Sequence, residues 1–231
     1  GEWLPITIWE NQEGSFVPFS QNIPTQTGLW TCVEIADLNE DGKPDLLLGN
    51  HGLNSRLQAG DTTPVEMFVN DFDRNGAPEQ LITVYQGDKS YPLALRQDVV
   101  MQMPGLKKQY LKYASYKDAT IEEMFPPQIL ARSYKWSAQR METSIWLSQS
   151  DGSYAWGSLP LEAQMAPVYG MLIEDLDGDG HLDILLGGNF SRSKPEIGIY
   201  AASYGTYLKG NGKGDFGSIP NKEVGLKIKG E

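Results

Sequence analysis

The sequence predicts an all-β fold: a β-propeller segment of four-stranded antiparallel blades, about three of them with partial blades at both ends, carrying a small helical insertion. Three observations predict it. An Asp-rich loop recurs between short apolar runs, an aromatic-Gly-aromatic hairpin recurs three times, and the distance from hairpin to loop is constant.

The loop comes first. Asp37-Leu-Asn-Glu-Asp-Gly-Lys-Pro-Asp-Leu-Leu-Leu-Gly49 returns as Asp175-Leu-Asp-Gly-Asp-Gly-His-Leu-Asp-Ile-Leu-Leu-Gly187, with 8 of 13 positions identical. A looser copy reads Asp71-Phe-Asp-Arg-Asn-Gly-Ala-Pro-Glu79. All three place oxygen-bearing side chains at positions 1, 3, 5 and 9 and Gly at position 6. Calcium takes six to eight oxygen ligands at about 2.3–2.6 Å, and alternating side chains converge on one ion when the backbone curls at a permissive Gly. The expected ligands are Asp37, Asn39, Asp41 and Asp45, then Asp71, Asp73, Asn75 and Glu79, then Asp175, Asp177, Asp179 and Asp183. Lys43, Ala77 and His181 would each add a backbone carbonyl from position 7. Magnesium is disfavoured, because it prefers a small octahedral shell that retains water. The competing reading is an Asp/Asn/Gly turn without metal, since these residues favour turns anyway. An EF-hand is excluded, because position 12 is Leu48, Ile82 or Leu186 where a bidentate Glu is needed. Those residues lie in short apolar runs with the length of buried strands, so the loops join strands.

The hairpins run from Trp9 to Phe16, Trp146 to Tyr154 and Tyr207 to Phe216, each across a Gly-containing polar turn. Gly14 to Asp37 is 23 residues and so is Gly152 to Asp175. A hairpin followed at fixed distance by strand, Asp loop and strand is a four-stranded module cut at a different phase. The expected layout is one propeller-type domain: residues 3–19 a half blade, 30–85 a blade, 90–160 a blade with its helical insertion at 96–130, 168–220 a blade, and 226–231 the start of the next. Loop 71–79 would then sit where a third and fourth strand meet. Both ends fall within a blade, so the chain is expected to be a segment of a longer parent chain that supplies the remaining blades.

The Asp loop followed by three apolar residues and Gly, with the aromatic-Gly hairpin, resembles the FG-GAP or VCBS repeat of integrin-α-type propellers. Stretches such as Gly-Asn-His-Gly-Leu-Asn-Ser-Arg56, Gly-Asp-Lys-Ser-Tyr-Pro-Leu-Ala94 and Ala-Ser-Tyr-Gly-Thr-Tyr-Leu-Lys-Gly210 are similar to the later propeller part of large bacterial surface proteins with VCBS repeats. Those are relatives of cartilage acidic protein, often with an ASPIC/UnbV domain. The resemblance implies calcium bound between the first two strands of a blade, at residues 37–45 and 175–183; loop 71–79 departs from that placement.

Residues 96–130 break the β pattern. Leu106, Tyr110, Tyr113 and Lys117 fall on one helical stripe, and Thr120-Ile-Glu-Glu123 is a capping-box pattern that opens a short helix before Pro126-Pro127. The insertion reads as a packed lid with a solvated lysine face, or as a partner-binding excursion. Trp9, Trp146 and Tyr207 are expected to pack blades, whereas Trp3, Trp30, Trp136 and Trp156 stay open as ligand contacts. His51 and His181 read as structural. Asn189-Phe-Ser191 matches a glycosylation sequon, a short and weak motif.

Composition narrows the function. With 30 acids against 19 Lys plus Arg in 231 residues, the net charge is −11, which argues against nucleic acid. Eleven of the acids lie in the three Asp loops. No apolar run approaches the roughly 18 residues of a membrane span. Cys32 is the only cysteine, which excludes an internal disulfide framework. There is no phosphate loop, Gly-x-Ser-x-Gly elbow or His-Glu-x-x-His motif, and no catalytic residue is assigned. The expectation is a calcium-stabilised, extracytoplasmic binding or adhesion module of a bacterial cell surface or outer membrane, with a protein or glycan ligand. The alternative is a calcium-assisted carbohydrate lyase or hydrolase, for which Glu122 and Glu123 are neighbours in sequence only.

Overall fold

A computed structural model describes residues 1–19, 22–193, 198–228 and 230. In chain order its strands are β1 (Glu2–Pro5), β2 (Trp9–Gln12), β3 (Ser15–Pro18), β4 (Thr27–Leu29), β5 (Cys32–Ala36), β6 (Asp45–Gly49), β7 (Val65–Asn70), β8 (Glu79–Gln86), β9 (Lys89–Pro92), β10 (Tyr134–Ala138), β11 (Ser144–Ser148), β12 (Tyr154–Ser158), β13 (Gly170–Glu174), β14 (Asp183–Gly187), β15 (Thr206–Gly210) and β16 (Phe216–Ile219). They form three four-stranded antiparallel sheets and two two-stranded ones, the architecture of an all-β, propeller-like segment. Two compact units result: Gly1–Ser55 with Met141–Ser193 and Ile199–Glu231, and Arg56–Arg140 with Gly198. Among the described residues no helix is long and apolar enough to cross a membrane.

In the first unit the four-stranded sheets run β12-β11-β6-β5 and β13-β14-β15-β16. Their second strands explain the uninterrupted apolar runs. All five residues of β6 are buried, because a central strand covered on both faces has no polar side to alternate with. Successive side chains point to opposite faces, so Leu47 and Ile145 join Ile184, Leu186 and Leu208 in a core between the two sheets, whereas Leu46, Leu48 and Trp146 pack with Trp30. Trp146 is 0 % exposed, with Trp156 at 5.7 Å and Tyr154 at 6.3 Å between ring centroids. Among the described residues β2 and β3 pair only with each other, as do β1 and β4.

The second unit has the sheet order β10-β7-β8-β9, with one face covered by helical turns. These are α1 (Arg96–Gln102), a 3₁₀ turn at Pro104–Lys107, α2 (Tyr113–Tyr116), α3 (Ile121–Met124) and α4 (Pro127–Leu130). Phe68, Phe72 and Leu81 of the sheet side pack with Val99, Met103, Tyr110, Tyr116, Ile121, Met124 and Phe125. The capping box is present in both directions, Glu123 N–H to Thr120 Oγ1 at 3.3 Å and Thr120 N–H to the Glu123 carboxylate at 3.2 Å.

Strand pairing differs from linear order in several places. The run 30–85 does not close one sheet: β6 takes β11, about a hundred residues on, as its neighbour, and β7–β9 form a separate sheet with β10. Loop 71–79 therefore joins two central strands and not a third to a fourth. Only 168–220 keeps its expected four strands in order. No continuous helix forms over 106–117. The Arg96 guanidinium donates to the carbonyls of Tyr110 at 2.6 Å and Leu111 at 3.0 Å, and Tyr110 and Tyr116 are buried while Tyr113 is exposed.

The hairpin aromatics also shift. Across the turns Asn11 faces Phe16, Ser148 faces Tyr154 and Gly210 faces Phe216, so Trp9 corresponds to Trp146 and to Leu208, and Tyr207 to Ile145. Trp9 is 55 % exposed, because its hairpin has no inner strand pair to lie on. The expected strand start at 226–231 shows no strand among its described residues; Lys229 and Glu231 lie outside them.

His51 is packed edge-on against Tyr200, with centroids 4.6 Å apart, and its Nε2 is buried without a partner among the described residues. Burial holds the imidazole pKa down to about 4, against an ordinary 6.5. Because the folded value is the lower one, its stabilisation is complete above pH 6.5 and is lost as pH falls toward 4. Over that window His51→Gln should remove about 2–3 kcal/mol of pH dependence from the unfolding free energy. Denaturant melts of both proteins between pH 4 and 7 check it; parallel profiles would refute it. In the same assay Trp146→Ala should cost about 3–5 kcal/mol and Trp9→Ala less than about 1.

Candidate metal centres

Each Asp loop is closed by the same set of hydrogen bonds from backbone N–H groups to side-chain oxygens. At position 1 the two carboxylate oxygens accept from the N–H groups of positions 5 and 6: Asp37 from Asp41 and Gly42, Asp71 from Asn75 and Gly76, Asp175 from Asp179 and Gly180, all at 2.8–3.1 Å. The position 3 oxygen accepts from position 5, in Asn39, Asp73 and Asp177. The position 5 oxygen accepts from the N–H of position 7, in Asp41, Asn75 and Asp179. Lys43, Ala77 and His181 are thus placed at the loop, each by its own N–H.

Position 9 anchors the curl to the sheet. Asp45 and Asp183 are 0 % exposed and Glu79 is 5 %. Each accepts from the N–H of position 2: Leu38 at 2.9 Å, Leu176 at 3.1 Å and Phe72 at 2.8 Å. The other oxygen of Asp45 accepts from Ser148 N–H of β11 at 2.7 Å, and that of Asp183 from Gly210 N–H of β15 at 2.9 Å. One buried carboxylate therefore ties the loop entry to the third strand. Tyr207 also donates its hydroxyl to Asp183 at 2.8 Å, and burial first, then this bond, pushes the phenol up to about 12.

The backbone makes the curl with two left-handed residues. Position 6 is Gly in all three loops, with φ of 83°, 91° and 93°. Position 4 is left-handed as well, at Glu40 (59°), Arg74 (62°) and Gly178 (78°). The residue types at 40 and 74 give no hint of it, since a long side chain is uncommon there.

One carboxylate oxygen each from Asp71, Asp73 and Glu79 lie within 4.8 Å of one another, and so do those from Asp175, Asp177 and Asp183. These two acidic triads could hold a metal ion. Loop 37–45 forms no such triad of acids, its position 3 being the amide Asn39. The donors are hard oxygens, as calcium requires, and an oxygen that accepts one N–H retains a lone pair for an ion. A cation does approach one cluster from within the chain. Lys209 Nζ lies 2.7 Å from Asp179 Oδ2 and also contacts Asp177 Oδ2. Chiefly through that hydrogen bond, the carboxyl of Asp179 is held below its usual range.

A second link joins two loops. His181 Nδ1 lies 2.6 Å from Glu40 Oε1, and the bond to this carboxylate raises the imidazole pKa. Sequence reasoning gave His181 only a carbonyl. Its partner is 141 residues away, which left no local signal. Among the remaining candidates, Glu123 is committed to its capping box. Asn189 is 7 % exposed and its amide exchanges hydrogen bonds with Ser203, so the sequon residue is part of the packing. Trp30 is buried, whereas Trp136 is 40 % exposed.

Asp45→Asn should destabilise the protein by about 3 kcal/mol in the presence of a chelator, because two charge-assisted bonds in a buried setting weaken together. Asp41→Asn should cost less than about 1 kcal/mol, as Asn75 already serves at that position. Chemical unfolding of the two variants tests the contrast, and equal losses would contradict it.

Residues 4–48, from β1 through loop 37–45 into β6, match the family described as FG-GAP-like repeat. No curated protein and no solved structure matches the chain. The match takes in the first hairpin, the first Asp loop and the strands between them, and supports an FG-GAP-type repeat there.

Proposed function

We propose that the chain is a calcium-stabilised, extracytoplasmic binding or adhesion module whose ligand is a surface protein or a glycan. The observation that carries the reading is the threefold recurrence of one loop geometry, in which four oxygen-bearing side chains are oriented by backbone N–H groups around a curl that concentrates negative charge. When bound, calcium supplies the positive charge that offsets this repulsion. The chain's own residues supply the shape: position 1 closes the curl, positions 3 and 5 set its rim, and position 9 fixes it to the sheet. All fifteen expected positions, Lys43, Ala77 and His181 included, belong to this proposal.

The FG-GAP-like repeat supports an extracellular binding role. A bacterial cell-surface location and a parent chain of the VCBS-repeat type that supplies further blades are the finer parts of the proposal.

Thermal unfolding with calcium and with EGTA tests the core of the reading. At saturating calcium the melting temperature should lie about 5–10 °C above that in EGTA. Binding to an array of glycans and surface proteins should weaken when calcium is removed. Identical melts in the two conditions would overturn the proposal, and turnover of a glycan on the array would replace it with an enzymatic one.

A further inference from the structure

The three Asp loops share a geometry but not a charge. Loop 37–45 carries three carboxylates in its ligand positions, Asp37, Asp41 and Asp45, with the amide of Asn39 between them. Loop 71–79 also carries three, Asp71, Asp73 and Glu79, with Asn75 as the amide. Loop 175–183 carries four, with Asp at every one of positions 1, 3, 5 and 9. It is also the loop that a lysine enters, through contacts of Lys209 Nζ with Asp177 and Asp179.

The placement of Lys209 follows from strand register. Gly210 N–H and Tyr207 Oη both bond Asp183, which fixes β15 against the foot of the loop on either side of Lys209. The equivalent residue in the other sheet of this unit is Leu147, one before the Ser148 N–H that bonds Asp45. In the β2–β3 hairpin the equivalent residue is Glu10. Strand register thus brings a cation to the loop with the extra carboxylate, and Lys209 offsets one of its four acidic charges.

We propose that Lys209 is a built-in competitor for the divalent cation of loop 175–183: its ammonium holds Asp177 and Asp179 together when no ion is bound, and it lowers the loop's affinity below what four aspartates would give. The inference rests on the calcium reading above and concerns one residue of it. Lysine suits the role because it is a compact point charge on a flexible stem. The side chain is 38 % exposed, so the ammonium has water to move into when a divalent ion takes its place. A positive charge a few ångströms from a divalent ion, even in a water-like dielectric, opposes binding by about tenfold or more. The device lets loop 175–183 give up its ion without losing its shape as calcium falls.

The test uses the full chain and calcium itself. The amides of Gly42, Gly76 and Gly180 stand at position 6 of the three loops and report each loop separately in a ¹⁵N correlation spectrum. In Lys209→Met the calcium midpoint at Gly180 should fall about tenfold while those at Gly42 and Gly76 stay in place. In EGTA, Lys209→Met should melt below the wild type, and Lys209→Arg should melt with it. If the amides respond to calcium but the Gly180 midpoint is unmoved by Lys209→Met, or if the variant is as stable as wild type in EGTA, the proposal is wrong. If none of the three amides responds to calcium in the wild type, the calcium reading fails and the competition fails with it, a result distinct from the first.

Discussion

A buried carboxylate at the foot of each Asp loop is the constraint on which the rest of the structure depends. Burying a carboxylate is unfavourable unless every direction of its charge is met by a donor. Asp45 and Asp183 meet that condition by reaching in two directions, to the N–H of their own loop entry and to the N–H of the third strand. The first bond sets the turn, and the second sets the register of β11 or β15 against it. Once that register is set, Leu47 and Ile145 on one sheet and Ile184 and Leu208 on the other fall on the faces that meet.

A related requirement accounts for the oxygen-bearing side chains of the loops. Positions 1, 3 and 5 crowd oxygens because each must accept an N–H that the tight curl leaves without a strand or helix partner. A run of such side chains is thus first a way of satisfying backbone donors. This explains why loops with Asn39 or Asn75 keep the full hydrogen-bond pattern while differing in carboxylate number. Where the carboxylates outnumber what the pattern needs, at loop 175–183, a lysine is present.

The loops were legible in the sequence because the hydrogen bonds that close each curl lie within nine residues. Position 6 announces itself as Gly, whereas the left-handed backbone at Glu40 and Arg74 does not, being imposed by closure and not by residue preference. The capping box at Thr120 was legible for the same local reason. The stripe from Leu106 to Lys117 misled, because the helical period was real but Arg96, from another turn, binds the carbonyls of Tyr110 and Leu111 that a helix would have used itself.

The sequence by itself determined the strand-loop-strand units, the hairpins and the all-β class, since each rests on contacts between near neighbours. Only the tertiary structure decided which strands share a sheet. Leu-Leu-Leu-Gly, Leu-Ile-Thr-Val and Ile-Leu-Leu-Gly are interchangeable as apolar strands, and hydrophobic burial has no direction with which to tell them apart. The entropy of closing a loop grows only logarithmically with its length, so β6 can wait for β11 across the whole of β7–β10 at little extra cost. For the same reason the exposure of Trp9, the Glu40–His181 link and the seat of Lys209 belong to the folded chain and not to any stretch of its sequence.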